Sequence, residues 1–191
     1  MIGNFTEIVG DSNSNILDAE DLQIAFGFEG NDFLFTSFGL LPEGEKSAVL
    51  AGGFGDDEYQ VANNLTTVIV ENGSSNQDSL VALGLGINSD TSFIAEIDGR
   101  HLYAGDRGSN QYVILIDWQQ PANQIESVTV SDATFSYDEI ATVFRQLENY
   151  AGNFTWGELE QQDELNLGRV GLTASTINDA ISQISARAIL V

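Results

Sequence analysis

Apolar positions in the first two-thirds of the chain fall in short runs bounded by Gly, Asn, Asp and Ser. Val68-Ile69-Val70, Tyr112 to Trp118 and Ser127 to Val130 are typical. These runs are β-branched or aromatic, and they predict strands. The pattern changes late. Ser136-Tyr137-Asp138-Glu139 has the spacing of a capping box, Ser followed by Glu three residues on. Ile140, Val143, Phe144 and Leu147 then recur at helical spacing, with Gly152 just beyond. A second helix is expected from Ser175 or Thr176, carrying Ile177, Ile181 and Ile184 on one face and Arg187 in its last turn. No linker separates these parts. The pattern predicts a mainly β protein, β-rich over 1–132, with a small helix-containing section over 133–191, in one continuous folded unit.

Composition narrows the function. The 191 residues are enough for one domain with a core of its own. Six basic residues stand against 29 acidic ones, a net charge of −23. Such a chain repels phosphate backbones and anionic membrane surfaces, so no nucleic-acid partner and no membrane insertion are expected. No apolar run approaches the length of a membrane-spanning helix. The opening MIGNFTEIVG lacks a basic start and an apolar run, so no N-terminal secretory signal is expected there. There is no Cys and only one His, which excludes disulfides, thiolate chemistry and multi-His metal sites within one chain. What the carboxylates can attract is a hard cation, calcium first.

One segment concentrates the relevant residues. Gly52-Gly53-Phe54-Gly55-Asp56-Asp57-Glu58-Tyr59-Gln60 follows the pattern G-G-x-G-x-D-x-U-x, where U is large and apolar. Its glycines permit a tight turn with exposed carbonyls, Asp57 adds a hard carboxylate, and Tyr59 begins a strand and points inward. Weaker copies start at Gly27, Gly73 and Gly105, and an eroded one at Gly10. They place Asp32, Asp78 and Asn110 where the first has Asp57; the Asn110 copy reads as a structural turn. One turn cannot supply the six to eight oxygens that calcium takes, so neighbouring turns must share an ion.

Residues 50–81 resemble the RTX family of hemolysin-type calcium-binding nonapeptide repeats. The likeness extends past the nonapeptide to Val68-Ile69-Val70-Glu71-Asn72 and Asp78-Ser79-Leu80-Val81. The resemblance implies a parallel β-roll or β-solenoid, bound Ca2+, and export by type I secretion machinery to the exterior or surface of a bacterial cell. On that reading the metal ligands are Asp32, Asp57 and Asp78, with backbone carbonyls near Gly27, Glu29, Gly52 and Gly55. The copies are irregularly spaced, which implies insertions and roughly one to three ions.

The remaining residues give little chemistry. His101 reads as a lone surface or turn residue. Glu158, Glu160, Asp163 and Glu164 read as a solvated acidic face. The apolar end Ala188-Ile189-Leu190-Val191 suits an export signal or a final strand equally. The expected function is therefore non-enzymatic: an exported calcium-binding structural protein that folds on Ca2+ and self-assembles, as a homo-oligomer or homopolymer, into a sheath, surface layer or fibre. The alternative is a secreted carbohydrate-binding adhesin or hydrolase, with Trp118 or Trp156 as a sugar-stacking platform.

Overall fold

The computed structural model describes residues 5–37, 47–73, 75, 77–161 and 182. The protein is mainly β, with fourteen strands among the described residues. From β1 to β8 the chain steps alternately between two sheets. The larger sheet takes β1 (Thr6–Val9), β3 (Gln23–Glu29), β5 (Ser47–Phe54) and β7 (Leu65–Ile69), then β11 (Gln111–Leu115), β10 (His101–Asp106), β9 (Ser92–Ile97) and β14 (Tyr150–Phe154). The smaller takes β2 (Ile16–Ala19), β4 (Phe33–Thr36), β6 (Glu58–Gln60), β8 (Ser79–Ala82), β12 (Ser127–Val130) and β13 (Thr134–Ser136).

The expected parallel β-roll or β-solenoid is corrected here, because both sheets are mixed. β1, β3, β5, β7 and β11 pair in parallel, as do β2, β4, β6, β8 and β12. β9, β10 and β11 instead form an antiparallel meander, and β13 runs antiparallel to β12. Local turns cause this. Asp98 (φ 53) and Gly99 (φ 64) adopt left-handed conformations and reverse the chain between β9 and β10. Asn110 (φ 52) closes the reversal between β10 and β11. The repeat copy at Gly105 thus makes a hairpin within one sheet, where its better-preserved relatives join the two sheets.

Two apolar layers follow from this arrangement. Leu34, Leu50, Tyr59, Ile69, Leu80 and Leu115 fill the space between the sheets. Ile24, Phe26, Val68, Tyr103 and Ile114 form a second layer on the other face of the larger sheet. Trp156 and Leu159 of α2 (Trp156–Gln161) belong to that second layer. All five residues of β7 and of β11 are buried, as strands covered on both faces require. The smaller sheet has one wet face, and β4 and β8 alternate accordingly.

The capping box forms as expected. Ser136 Oγ accepts from the Glu139 N–H, and the Glu139 carboxylate accepts from the Ser136 N–H. The helix is shorter than its apolar spacing predicts. α1 covers Tyr137–Val143 and gives way to a 3-10 turn, Phe144–Gln146. Phe144 is drawn into the core there, edge-on to Trp118 and Tyr150. Arg145, in the same turn, donates from two nitrogens to the buried Glu96 carboxylate of β9, which also accepts from Tyr150 Oη. Apart from Ser182, which is helical, the second expected helix and the apolar end 188–191 lie outside the described residues.

Two glycines of the best repeat are held by close approach. A Cβ on Gly53 (φ 105) would lie 2.2 Å from the Phe28 carbonyl oxygen, and one on Gly55 (φ 133) would lie 1.8 Å from that of Gly30. Gly152 (φ 115) has a similar backbone with nothing within 4 Å. Gly55→Ala is expected to cost about 3 kcal/mol, and Gly152→Ala about 1–2 kcal/mol for the backbone conformation alone. Denaturant unfolding of the two variants checks the difference.

Candidate metal centre

The residues directly before β2, β4, β6, β8 and β12 are Asn15, Asp32, Asp57, Asp78 and Glu126. Parallel pairing stacks them in a row. Each carboxylate in the row accepts the backbone N–H of the residue one rung earlier. Asp32 Oδ1 accepts from Asn15 at 2.7 Å, and Asp57 Oδ1 from Asp32 at 2.8 Å. Asp78 Oδ1 accepts from Asp57 at 2.8 Å, and Glu126 Oε2 from Asp78 at 2.8 Å. The carboxylates thereby continue the hydrogen-bond ladder of the smaller sheet by one step beyond its strand ends.

Three of these acids are removed from water: Asp32 is 2% exposed, Asp57 1% and Asp78 2%. Their first oxygens are satisfied by the ladder. The second oxygens of Asp32 and Asp57 are buried with no hydrogen-bond partner. Glycine makes this geometry possible. A Cβ on Gly27 would lie 2.2 Å from Asp32 Oδ2 and 2.5 Å from the Gly52 carbonyl oxygen. A Cβ on Gly52 would lie 2.2 Å from both Asp57 Oδ2 and the Tyr59 hydroxyl. The two glycines leave cradles into which the bare carboxylate oxygens reach.

Glu71 joins the row from the end of β7 and is 2% exposed. Its Oε1 accepts from the Asn72 and Gly73 N–H groups, both at 2.8 Å. Its Oε2 accepts from the Tyr59 hydroxyl, which itself accepts from the Gly52 N–H at 2.9 Å. One oxygen each from Asp57, Glu71 and Asp78 lies within 4.8 Å of the others. Burial pushes these acids up: Asp57 to about 7, Glu71 to about 8 and Asp78 to about 6. Repulsion from neighbouring carboxylates adds to burial at all three. Asp32 is raised by burial as well. Buried, mutually repelling carboxylates need either protons or a cation. The donors here are carboxylate and carbonyl oxygens, which suit a hard divalent ion.

The structure brings together Asp32, Asp57, Asp78, Gly27 and Gly52 of the expected ligands. Gly55 packs against the Gly30 carbonyl, and Glu29, expected to offer its backbone carbonyl, is the last residue of β3. Glu71, Tyr59 and Glu126 were not among the expected site residues. Glu71 carries a local signal, an acid directly after a β-branched run. Glu126 carries none, because only the sheet topology places it one rung beyond Asp78. His101 is corrected from a surface or turn residue to a buried one in β10, where Nδ1 accepts from the Asp117 N–H. Trp118 and Trp156 are 3% and 7% exposed, so neither ring offers a face to a sugar.

The raised acids fix the pH response of the metal-free protein. Their folded values lie above the unfolded values, so the folded state holds more protons. Their contribution is complete below about pH 4 and is lost as pH rises through about 6 to 8. In chelator, the thermal midpoint is expected to fall between about pH 5 and about pH 8, and less steeply in Asp57→Asn. No protein-family model matches the chain and no curated protein matches it.

Proposed function

We propose that this is a calcium-binding structural protein whose folding is completed by the metal. The observation that carries this reading is the pair of buried, partnerless carboxylate oxygens on Asp32 and Asp57, beside the cluster of Asp57, Glu71 and Asp78. Asp57, Glu71 and Asp78 would hold the ion, with Asp32 and the Gly52 carbonyl as further oxygen donors. A bound divalent cation offsets repulsion that otherwise opposes closing the turns. It acts on the folded state alone, because the ligands come from separate windings of the chain. The net charge of −23 disfavours compaction without metal. Extracellular calcium modules bind in the range of about 10⁻⁴–10⁻³ M, which matches a protein kept loose inside a cell and folded outside it.

Assembly belongs to the same proposal. β1 and β2 are the outermost strands of their sheets at the same end of the molecule. Both run parallel to the rest of the winding, and among the described residues no further strand pairs with either. Val9 on β1 is 51% exposed and Ile16 on β2 is 76% exposed. Open edges with exposed apolar side chains favour addition of a second copy.

Circular dichroism and sedimentation velocity, titrated from chelator into millimolar calcium with magnesium as control, test both parts. Calcium alone is expected to increase β-structure and raise the mass. The double variant Asp57→Asn/Glu71→Gln is expected to shift the calcium midpoint by roughly 10–100-fold or abolish it. Val9→Lys/Ile16→Lys is expected to keep the calcium-dependent folding and lose the mass increase. A wild-type chain that is fully folded in chelator and indifferent to calcium overturns the metal reading.

A further inference from the structure

We propose that Asn72 is a site of spontaneous deamidation, protected while the winding after β7 is closed and exposed when it opens. Asn72 precedes Gly73, and it is the only one of the fifteen asparagines that a glycine follows. The chemistry is intramolecular. The Gly73 nitrogen loses its proton and attacks Cγ of Asn72. The new N–Cγ bond closes a five-membered succinimide as the Cγ–Nδ2 bond breaks, and the side-chain nitrogen leaves with that proton as ammonia. Water then opens the ring. Opening at Cγ gives an aspartyl residue, and opening at the main-chain carbonyl gives an isoaspartyl one. Water is the one co-reactant. The reacting atoms are already neighbours in the chain, and the residue that supplies the nitrogen has no Cβ to crowd the attack.

The closed winding opposes the first step. The Gly73 N–H donates to Glu71 Oε1 at 2.8 Å, and the Asn72 N–H donates to the same oxygen at 2.8 Å. The proton that must leave is therefore held against an acceptor, and Gly73 is buried away from hydroxide. A Cβ on Gly73 would lie 1.8 Å from the Gly53 carbonyl oxygen, so β5 packs directly on its Cα and resists the rotation that the attack needs. The Asn72 side chain is only half-buried, and among the described residues no hydrogen bond holds its amide. Protection thus lies in the main chain, and it comes from closure. Gly53 belongs to an earlier winding, and Glu71 is itself held by the Tyr59 hydroxyl. An opened winding loses both restraints and leaves an unhindered Asn-Gly pair in water. The product recloses poorly. An isoaspartyl residue adds one CH2 to the main chain between two N–H groups that share a single oxygen. It also adds a carboxylate directly after Glu71, which Asp57 and Asp78 already crowd. The reaction marks chains that have stayed open.

The test incubates the full chain at neutral pH in millimolar calcium and, in parallel, in chelator with urea. Peptide mapping by mass spectrometry follows every asparagine, and enzymatic methylation of isoaspartyl groups identifies the product. In urea, Asn72 is expected to react faster than every other asparagine. In the folded chain its rate is expected to fall roughly 10–100-fold, in step with slow hydrogen exchange of the Gly73 amide. Asn72→Gln, which keeps the main-chain hydrogen bonds to Glu71, is expected to remove the reaction. Separated from unreacted protein, the isoaspartyl form is expected to unfold at lower urea than the wild type. Asn72→Asp, with the same charge on an ordinary backbone, is expected to fall between them. Equal rates in the folded and unfolded chain, a faster asparagine elsewhere in the unfolded chain, or an isoaspartyl form as stable as the wild type overturns the proposal. Dichroism verifies the folded arm, and a chain that folds in chelator serves as that arm equally. Failure here is therefore distinguishable from failure of the calcium reading.

Discussion

Each winding of this chain is tied to the next by a carboxylate that accepts a backbone N–H, and three of the four acids that do so are buried. Asp32, Asp57 and Asp78 each spend one oxygen on that bond. The bond fixes where a strand of the smaller sheet begins and therefore the register of its neighbour. The remaining oxygens then crowd into a region with little water, where two of them have no partner. Structural order and electrostatic stress come from the same side chains. Replacing the acids by amides would relieve the stress, but a side-chain amide also turns hydrogen-bond donors towards the backbone donors of the row. Keeping the acids keeps the ladder, at the cost of a charge that must be neutralised by protons or by metal.

Much of the alternating half was legible in the sequence because its causes are local. Gly52, Gly53 and Gly55 stand within a few residues of Asp57, and the turn they form places the acid directly before a strand. Asp32 and Asp78 follow by the same spacing. The strands at Val68, Tyr112 and Ser127 were legible because β-branched runs bounded by turn residues have few alternatives. The mixed character of the sheets was not legible. Left-handed backbone at Asp98, Gly99 and Asn110 turns the chain back within a sheet, and Asn in the sixth place of a repeat resembles an eroded ligand as closely as a hairpin residue. Glu126 was hidden for a different reason. It takes the next rung after Asp78 only because the meander of β9 to β11 is inserted between them.

That insertion changes the character of the molecule along its length. Among the first windings, the two sheets close on small and medium side chains such as Ala25, Ala48, Leu34 and Leu50. Beyond β8 the larger sheet grows by four further strands, while the smaller grows by a parallel and an antiparallel one. The sheets no longer match in extent, and α1 with its 3-10 turn fills the difference. Phe144 enters the core from that turn, and Arg145 anchors it to Glu96. An apolar cavity lies in this mismatched region, and the carboxylate row begins in the regular one.

The ladder also has a direction. In every rung the donor belongs to the earlier part of the chain and the acceptor to the later part, from Asn15 to Glu126. The first rung has an amide in place of a carboxylate, and Asn15 Nδ2 turns back to the carbonyls of its own turn and to Asp32. A chain emerging from its N-terminus therefore presents each winding with an unpaired donor until the following winding arrives. Order is conferred backwards, from later residues to earlier ones. The row is complete only when Glu126 has closed it, well after the last of the repeat acids has emerged.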